Sequence, residues 1–174
     1  MDMDINGLKT LPKEQILTVS KKLTNVDVDF LIPFLTEKDD KIRYNAFLLL
    51  QAVSKESSLV YNYWNELEEK LASDNSYQRS IGVMLLAENV RWDKQDRFSK
   101  ALSKYLPCCN DEKFITARQA IQGLQTIVKT TDKHNQEIKQ GLAKLKLSQY
   151  KENQQSLLNR DITNVLKEIE TSHR

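Results

Sequence analysis

The amphipathic stretches of this chain recur at nearly equal intervals. Leu35, Leu71 and Leu106 each close one, and each is followed by a short turn bearing a carboxylate, at Asp39-Asp40, Asp74-Asn75 and Asn110-Asp111. After each turn comes a stretch with a small residue near its middle (Ala46, Gly82, Ala120) and a leucine four positions on (Leu50, Leu86, Leu124). That spacing sets both residues on one face of a helix. A unit of about 35 residues is one helical hairpin, which cannot hide its own apolar side and so must stack against its neighbours.

The apolar runs Ala46-Phe47-Leu48-Leu49-Leu50 and Val83-Met84-Leu85-Leu86-Ala87 cover more than one helix face and ask for neighbours on several sides. Gly82 costs about 1 kcal/mol relative to Ala in a helix interior, so close approach of another backbone is its expected justification. The pattern predicts helices over roughly residues 12–23, 26–36, 40–54, 58–72, 76–90, 94–106, 112–129, 133–147 and 150–171. Pro12 suits a first helical turn, Pro33 should kink its helix and Pro107 should end one. Period-two alternation beside hairpin turns is missing, so no strand is expected. The expected fold is all-α, a single domain over residues 1–174 with about eight or nine helices in an α-α superhelix.

The repeat length alone would also suit tetratricopeptide or ankyrin units, but their signature residues are missing. Leu35 to Ala46, with Asp39, Ile42 and Arg43, and Leu71 to Gly82, with Asp74 and Arg79, resemble the HEAT and Armadillo repeats: a turn carboxylate, then an arginine, then a small residue in the second helix. That resemblance covers roughly residues 26–147 and implies a solenoid in which turn carboxylates and arginines pair between neighbouring repeats. The third copy departs from the pattern, because Arg118 stands two residues before Ala120.

Two constellations are candidates for binding. Lys94, Arg97, Lys100 and Lys104 fall at three- and four-residue spacing, a basic stripe able to track phosphates or simply to face solvent, with Phe98, Ala101, Leu102 and Tyr105 on the opposite side. The run Trp92-Asp93-Lys94-Gln95-Asp96, with Arg118 in the following repeat, is similar to the HEAT-like DNA alkylation repair glycosylases. The resemblance implies a cleft in which Trp92 holds a cationic nucleotide and Asp96 and Arg118 stand beside the developing charge. Read from the residues alone, Trp92 plugs a joint between hairpins and Asp96 forms an ion pair with Arg118.

Twenty-six Lys and Arg against twenty-four Asp and Glu leave a formal charge of +2, which gives no global pull toward nucleic acid or anionic membranes. Neighbouring Cys108 and Cys109 are expected as reduced thiols, and His134 and His173, read as surface and tail residues, supply no metal-ligand spacing. No cofactor motif or catalytic triad is found. The start Met1-Asp2-Met3-Asp4 lacks the order of a secretory signal, and no apolar stretch reaches the roughly 18 residues that span a bilayer, so a cytoplasmic protein is expected.

In the Tyr61-Asn62-Tyr63-Trp64 cluster Trp64 is expected in the core and one tyrosine at the surface. Residues 150–171 carry Leu158, Ile162, Val165 and Ile169 on one face, a helix expected to cap the stack or to form a dimer. The sequence points to a non-catalytic scaffold or interaction module with a protein or peptide partner. A nucleic-acid-binding or glycosylase-like protein using Trp92, Asp96 and Arg118 is the alternative.

Overall fold

The computed structural model describes residues 3–172; His173 and the Met1-Asp2 start lie outside them. All regular structure among the described residues is helical, in ten α-helices joined or extended by 3-10 turns. By contact density the chain divides into two compact units, Met1–Trp64 and Asn65–Arg174.

The first unit holds α1 (Ile5–Thr10), α2 (Ile16–Ser20), α3 (Asn25–Leu31) and α4 (Asp40–Glu56). Asp39 begins α4 by accepting the amides of Lys41 and Ile42 at 3.0 and 3.2 Å, satisfying two of the donors a helix start leaves open. Pro33 does more than kink its helix: α3 stops at Leu31 and the chain tightens into a 3-10 turn over Ile32–Thr36, since the ring removes a donor and crowds the preceding turn. Against α4 pack α1, α2 and that 3-10 turn, with Leu8, Val28, Leu31, Leu35, Leu49 and Leu50 fully buried. Asn45 of α4 donates through Nδ2 to the carbonyls of Leu8 and Leu11 at 2.8 and 3.3 Å, which ties the end of α1 to α4. Helix α1 escapes the sequence pattern because six residues show less than two turns of periodicity.

The division between units falls at the start of α5 (Trp64–Glu69), after which come α6 (Ser76–Asn89), α7 (Arg97–Tyr105), α8 (Phe114–Thr130), α9 (Asn135–Ala143) and α10 (Glu152–Thr171). Three of these run side by side in the same direction. The hydroxyls of Ser80 and Thr116 meet at 2.8 Å, and seven residues further along both helices a Cβ on Gly123 would lie 3.1 Å from that of Ala87, so α6 and α8 are parallel. The rings of Phe114 and Tyr150 lie 6.3 Å apart near the starts of α8 and α10, and Arg118 meets Asp161 further on, which makes that pair parallel too.

Helix α7 runs back against α8. Phe98, at its start, stacks edge-on with His134 beyond the end of α8 at 5.1 Å, and Tyr105, at its end, donates its hydroxyl to the carbonyl of Ala120 at 2.7 Å. Close approach depends on small residues: a Cβ on Gly82 would stand 3.0 Å from the Cβ of Lys70 and 3.1 Å from the Leu67 carbonyl, and one on Gly123 would lie 2.2 Å from the Tyr105 hydroxyl. Gly82 was expected to have this role; Gly123 is the tighter case. Leu50, Leu86 and Leu124 are all fully buried.

The turns before α4 and α6 are closed alike. Arg43 Nη1 donates to the Glu37 carbonyl at 2.8 Å and Arg79 Nη1 to the Ser73 carbonyl at 2.9 Å, each six residues back. Arg79 also grips Asp111, in the turn before α8, through Nε at 2.7 Å and Nη2 at 3.0 Å, a two-point guanidinium-carboxylate contact.

Candidate functional site

Trp92 ends a 3-10 turn, Val90–Trp92, that continues α6, and is half-buried. Asp93 then folds back, accepting the amides of Arg97 and Phe98 at 2.9 and 2.8 Å, so that it, and not Asp96, caps α7. Asp96 is in the left-handed region at φ 57° and is the one non-glycine residue with positive φ among those described. Its Oδ1 accepts Lys133 Nζ at 2.6 Å and the Ser99 hydroxyl at 2.5 Å. The lysine first, and then the hydroxyl, hold this carboxyl below its ordinary range.

Arg118 is engaged elsewhere. Its Nε donates to Asp161 Oδ2 of α10 at 2.9 Å, and Gln122 approaches the other carboxylate oxygen at 3.5 Å. The expected Asp96–Arg118 ion pair is therefore not formed. Distance along the helices explains why. The register that sets Ser80 beside Thr116 and Ala87 beside Gly123 puts Arg118 level with Gly82, ten residues short of Trp92, or about 15 Å along the axis. Trp92 and Asp96 stand at one end of the α6–α8 pair and Arg118 near the other, so the geometry gives these three no common cleft in which to hold a nucleotide.

The basic stripe is shorter than its spacing suggests, because α7 starts at Arg97 and leaves Lys94 in the preceding turn. Arg97 is half-buried and donates through Nε to Gln95 at 3.1 Å. Lys100 and Lys104 are exposed on the helix, with Lys104 Nζ 3.9 Å from a carboxylate oxygen of Glu68. On the opposite side Phe98, Ala101, Leu102 and Tyr105 are buried, as their spacing requires.

Other candidates resolve as packing. Cys108 and Cys109 are free and buried; burial pushes the Cys108 thiol up to about 11 and the Cys109 thiol higher still, so the nucleophilic thiolate is disfavoured at both. His134 is not a surface residue: at 5% exposure it lies against Phe98, and burial pulls its pKa below the ordinary value. Trp64 is buried in contact with Tyr61, centroids 5.6 Å apart. Neither tyrosine of that cluster is left exposed, since Tyr61 is buried and half-buried Tyr63 donates its hydroxyl to Asp29. The face of α10 offered for dimerisation is occupied within the chain: Leu158, Val165 and Ile169 are buried and Ile162 is half-buried.

Among the described residues no group of three or more His, Cys, Asp or Glu is placed to hold a metal ion, and no helix is long and apolar enough to cross a membrane. Large apolar side chains are exposed on several helices, Ile5, Leu17 and Val26 of the first unit among them. Tyr77 is 66% exposed on α6 and Ile115 58% exposed on α8, each in the first turn of its helix, and the Ser80–Thr116 contact joins the two helices near those turns. Tyr44, on α4, is 51% exposed. Periodicity had singled out none of the three, since each stands on the solvent side of its helix. Compared with protein-family models and with curated proteins, the chain matches none.

Proposed function

We propose that this chain is a non-catalytic interaction module, a single domain of HEAT-like helical hairpins wound as an α-superhelix, which holds a protein or peptide partner against the first turns of α6 and α8. The observation that carries this reading is the exposure of two large side chains, Tyr77 and Ile115, near the starts of two helices that the Ser80–Thr116 contact holds together. Aromatic and aliphatic residues so placed are characteristic anchors of protein interfaces. The repeat reading draws support from the parallel run of α6, α8 and α10, from α7 lying antiparallel to α8, and from the Arg79–Asp111 contact, which has the carboxylate-arginine form that HEAT-like turns use. Against catalysis stands the commitment of Asp96 and Arg118 to separate ion pairs.

Affinity capture with the intact chain, compared with a Tyr77→Asp/Ile115→Asp double variant, tests the reading. Wild-type protein should retain a partner that the variant loses while keeping its melting temperature. Equal capture by the two proteins would refute the assignment of this face.

A further inference from the structure

Of the asparagines in the chain, Asn6 alone is followed by glycine. In such a pair the backbone nitrogen reaches the preceding side-chain amide most readily, because the residue that carries it has no side chain to crowd the approach or to restrict rotation. Both residues are exposed, in the first turn of α1, while Leu8 beside them is fully buried.

The fold holds this pair in an unreactive form. Asp4 accepts the Gly7 amide through Oδ1 at 2.7 Å and the Leu8 amide through its carbonyl at 2.9 Å, and the Asn6 carbonyl accepts the Thr10 hydroxyl at 2.8 Å. A helical ψ of about −40° turns the Gly7 nitrogen away from the Asn6 amide carbon, so ring closure requires the turn to open. Glycine is also what lets the cap sit so close, since a Cβ at position 7 would lie 3.2 Å from Asp4 Oδ1. The residue that admits the cap is thus the one that leaves the nitrogen bare. Six residues are too few for a helix to persist by itself. Buried Leu8, the Asn45 bonds to the Leu8 and Leu11 carbonyls and the Lys9–Asp39 ion pair anchor α1 from Leu8 onward. The first turn can therefore open while the rest of the helix stays docked.

We propose that Asn6–Gly7 is a deamidation site on the first unit, gated by the Asp4 cap. In the open turn the Gly7 nitrogen gives its proton to hydroxide and bonds to Asn6 Cγ; the Cγ–Nδ2 bond breaks, and Nδ2 leaves as ammonia with a proton from water. Water then adds across one of the two C–N bonds of the cyclic imide. Cleavage at Cγ leaves an ordinary aspartate, whose charge in the first turn suits a helix start. Cleavage at the main-chain carbonyl carbon leaves isoaspartate, which lengthens the backbone by a methylene and breaks the register that carries Leu8 into the core. One modification thus has two products of opposite effect on α1. It draws on the first unit alone and owes nothing to the partner face of α6 and α8.

The test follows Asn6 in the intact chain at mildly alkaline pH by mass spectrometry of the Met1–Lys9 tryptic peptide, with isoaspartate detected by isoaspartyl methyltransferase. Asn6 should convert ahead of every other asparagine, and Asp4→Ala should speed it about fivefold, the scale of a lost helix cap. In urea the wild type and Asp4→Ala should react at one common rate, faster than the folded wild type. The separated isoaspartate form should melt below the unmodified chain and the aspartate form should not. Asn6 left intact while other asparagines react, Asp4→Ala no faster than the wild type when folded, an acceleration that persists in urea, or an isoaspartate form that melts with the unmodified chain overturns the proposal.

Discussion

The two ends of the α6–α8 pair are built on different principles. At the end where both helices begin, a two-point guanidinium-carboxylate contact, Arg79 on Asp111, locks one turn to the next, and large apolar side chains stay outside in solvent. At the other end the chain spends its polar groups on itself: Asp93 caps α7, Asp96 takes a left-handed turn to reach Lys133, and His134 is packed on Phe98. The end richest in side chains that look chemical is thus occupied with holding loops in place. The end that looks plain in sequence is the one that leaves Tyr77 and Ile115 exposed.

This contrast can be broken most directly at Asp111. Arg79 and Asp111 are 13% and 7% exposed at their side chains, so Asp111→Ala strands a nearly buried guanidinium and should lower unfolding stability by about 3 kcal/mol, read as a shifted urea midpoint at unchanged slope. A variant that unfolds like the wild type would remove the ion pair from any account of how that end is held.

Midway along the pair, Gly123→Ala should destabilise by about 1 to 3 kcal/mol in the same measurement, although alanine is the better helix former, because the new methyl group displaces the Tyr105 hydroxyl from the Ala120 carbonyl. A stabilised variant would mean that α7 yields freely and that the notch is incidental.

At the far end the expected effect is smaller and depends on pH. His134 has its pKa lowered by burial, so its contribution is complete above its unfolded value near 6.5 and is lost as pH falls through the folded value, when a proton must enter the packed site. Melting temperature should drop between pH 7 and pH 5, and His134→Phe should flatten that slope; equal slopes in the two proteins would exclude the histidine as the cause. The smallest change is expected from Asp96→Gly, where relief of the left-handed backbone offsets the loss of an exposed ion pair and leaves the denaturation midpoint nearly unmoved. A large loss there would show that the loop contact holds more than its exposure implies.

Much of this architecture could be read directly from residue spacing. The burial of Leu50, Leu86 and Leu124, the close approach at Gly82 and the inward face of α7 all follow from helical period and side-chain size. Partner choice does not follow from period. Arg118 and Asp161 are 43 residues apart, and nothing local to either tells that α10 returns beside α8. His134 reads as a surface group because burial there comes from Phe98 on another helix, and nothing in the sequence around Gly123 tells that Tyr105 occupies the space beside it. The grouping of Trp92, Asp96 and Arg118 rests on a resemblance of residue pattern between successive repeats, and that pattern does not specify the offset between α6 and α8 that carries Trp92 away from Arg118.

Tyr105 acts on Gly123 as a pin in a slot. With its hydroxyl bonded to the Ala120 carbonyl and its ring above the missing side chain, α7 cannot slide lengthwise on α8 without driving the phenol into the flanking side chains. The register of α7 on α8 is thereby fixed at a single point, since lengthwise displacement would cost the hydrogen bond and the fit together.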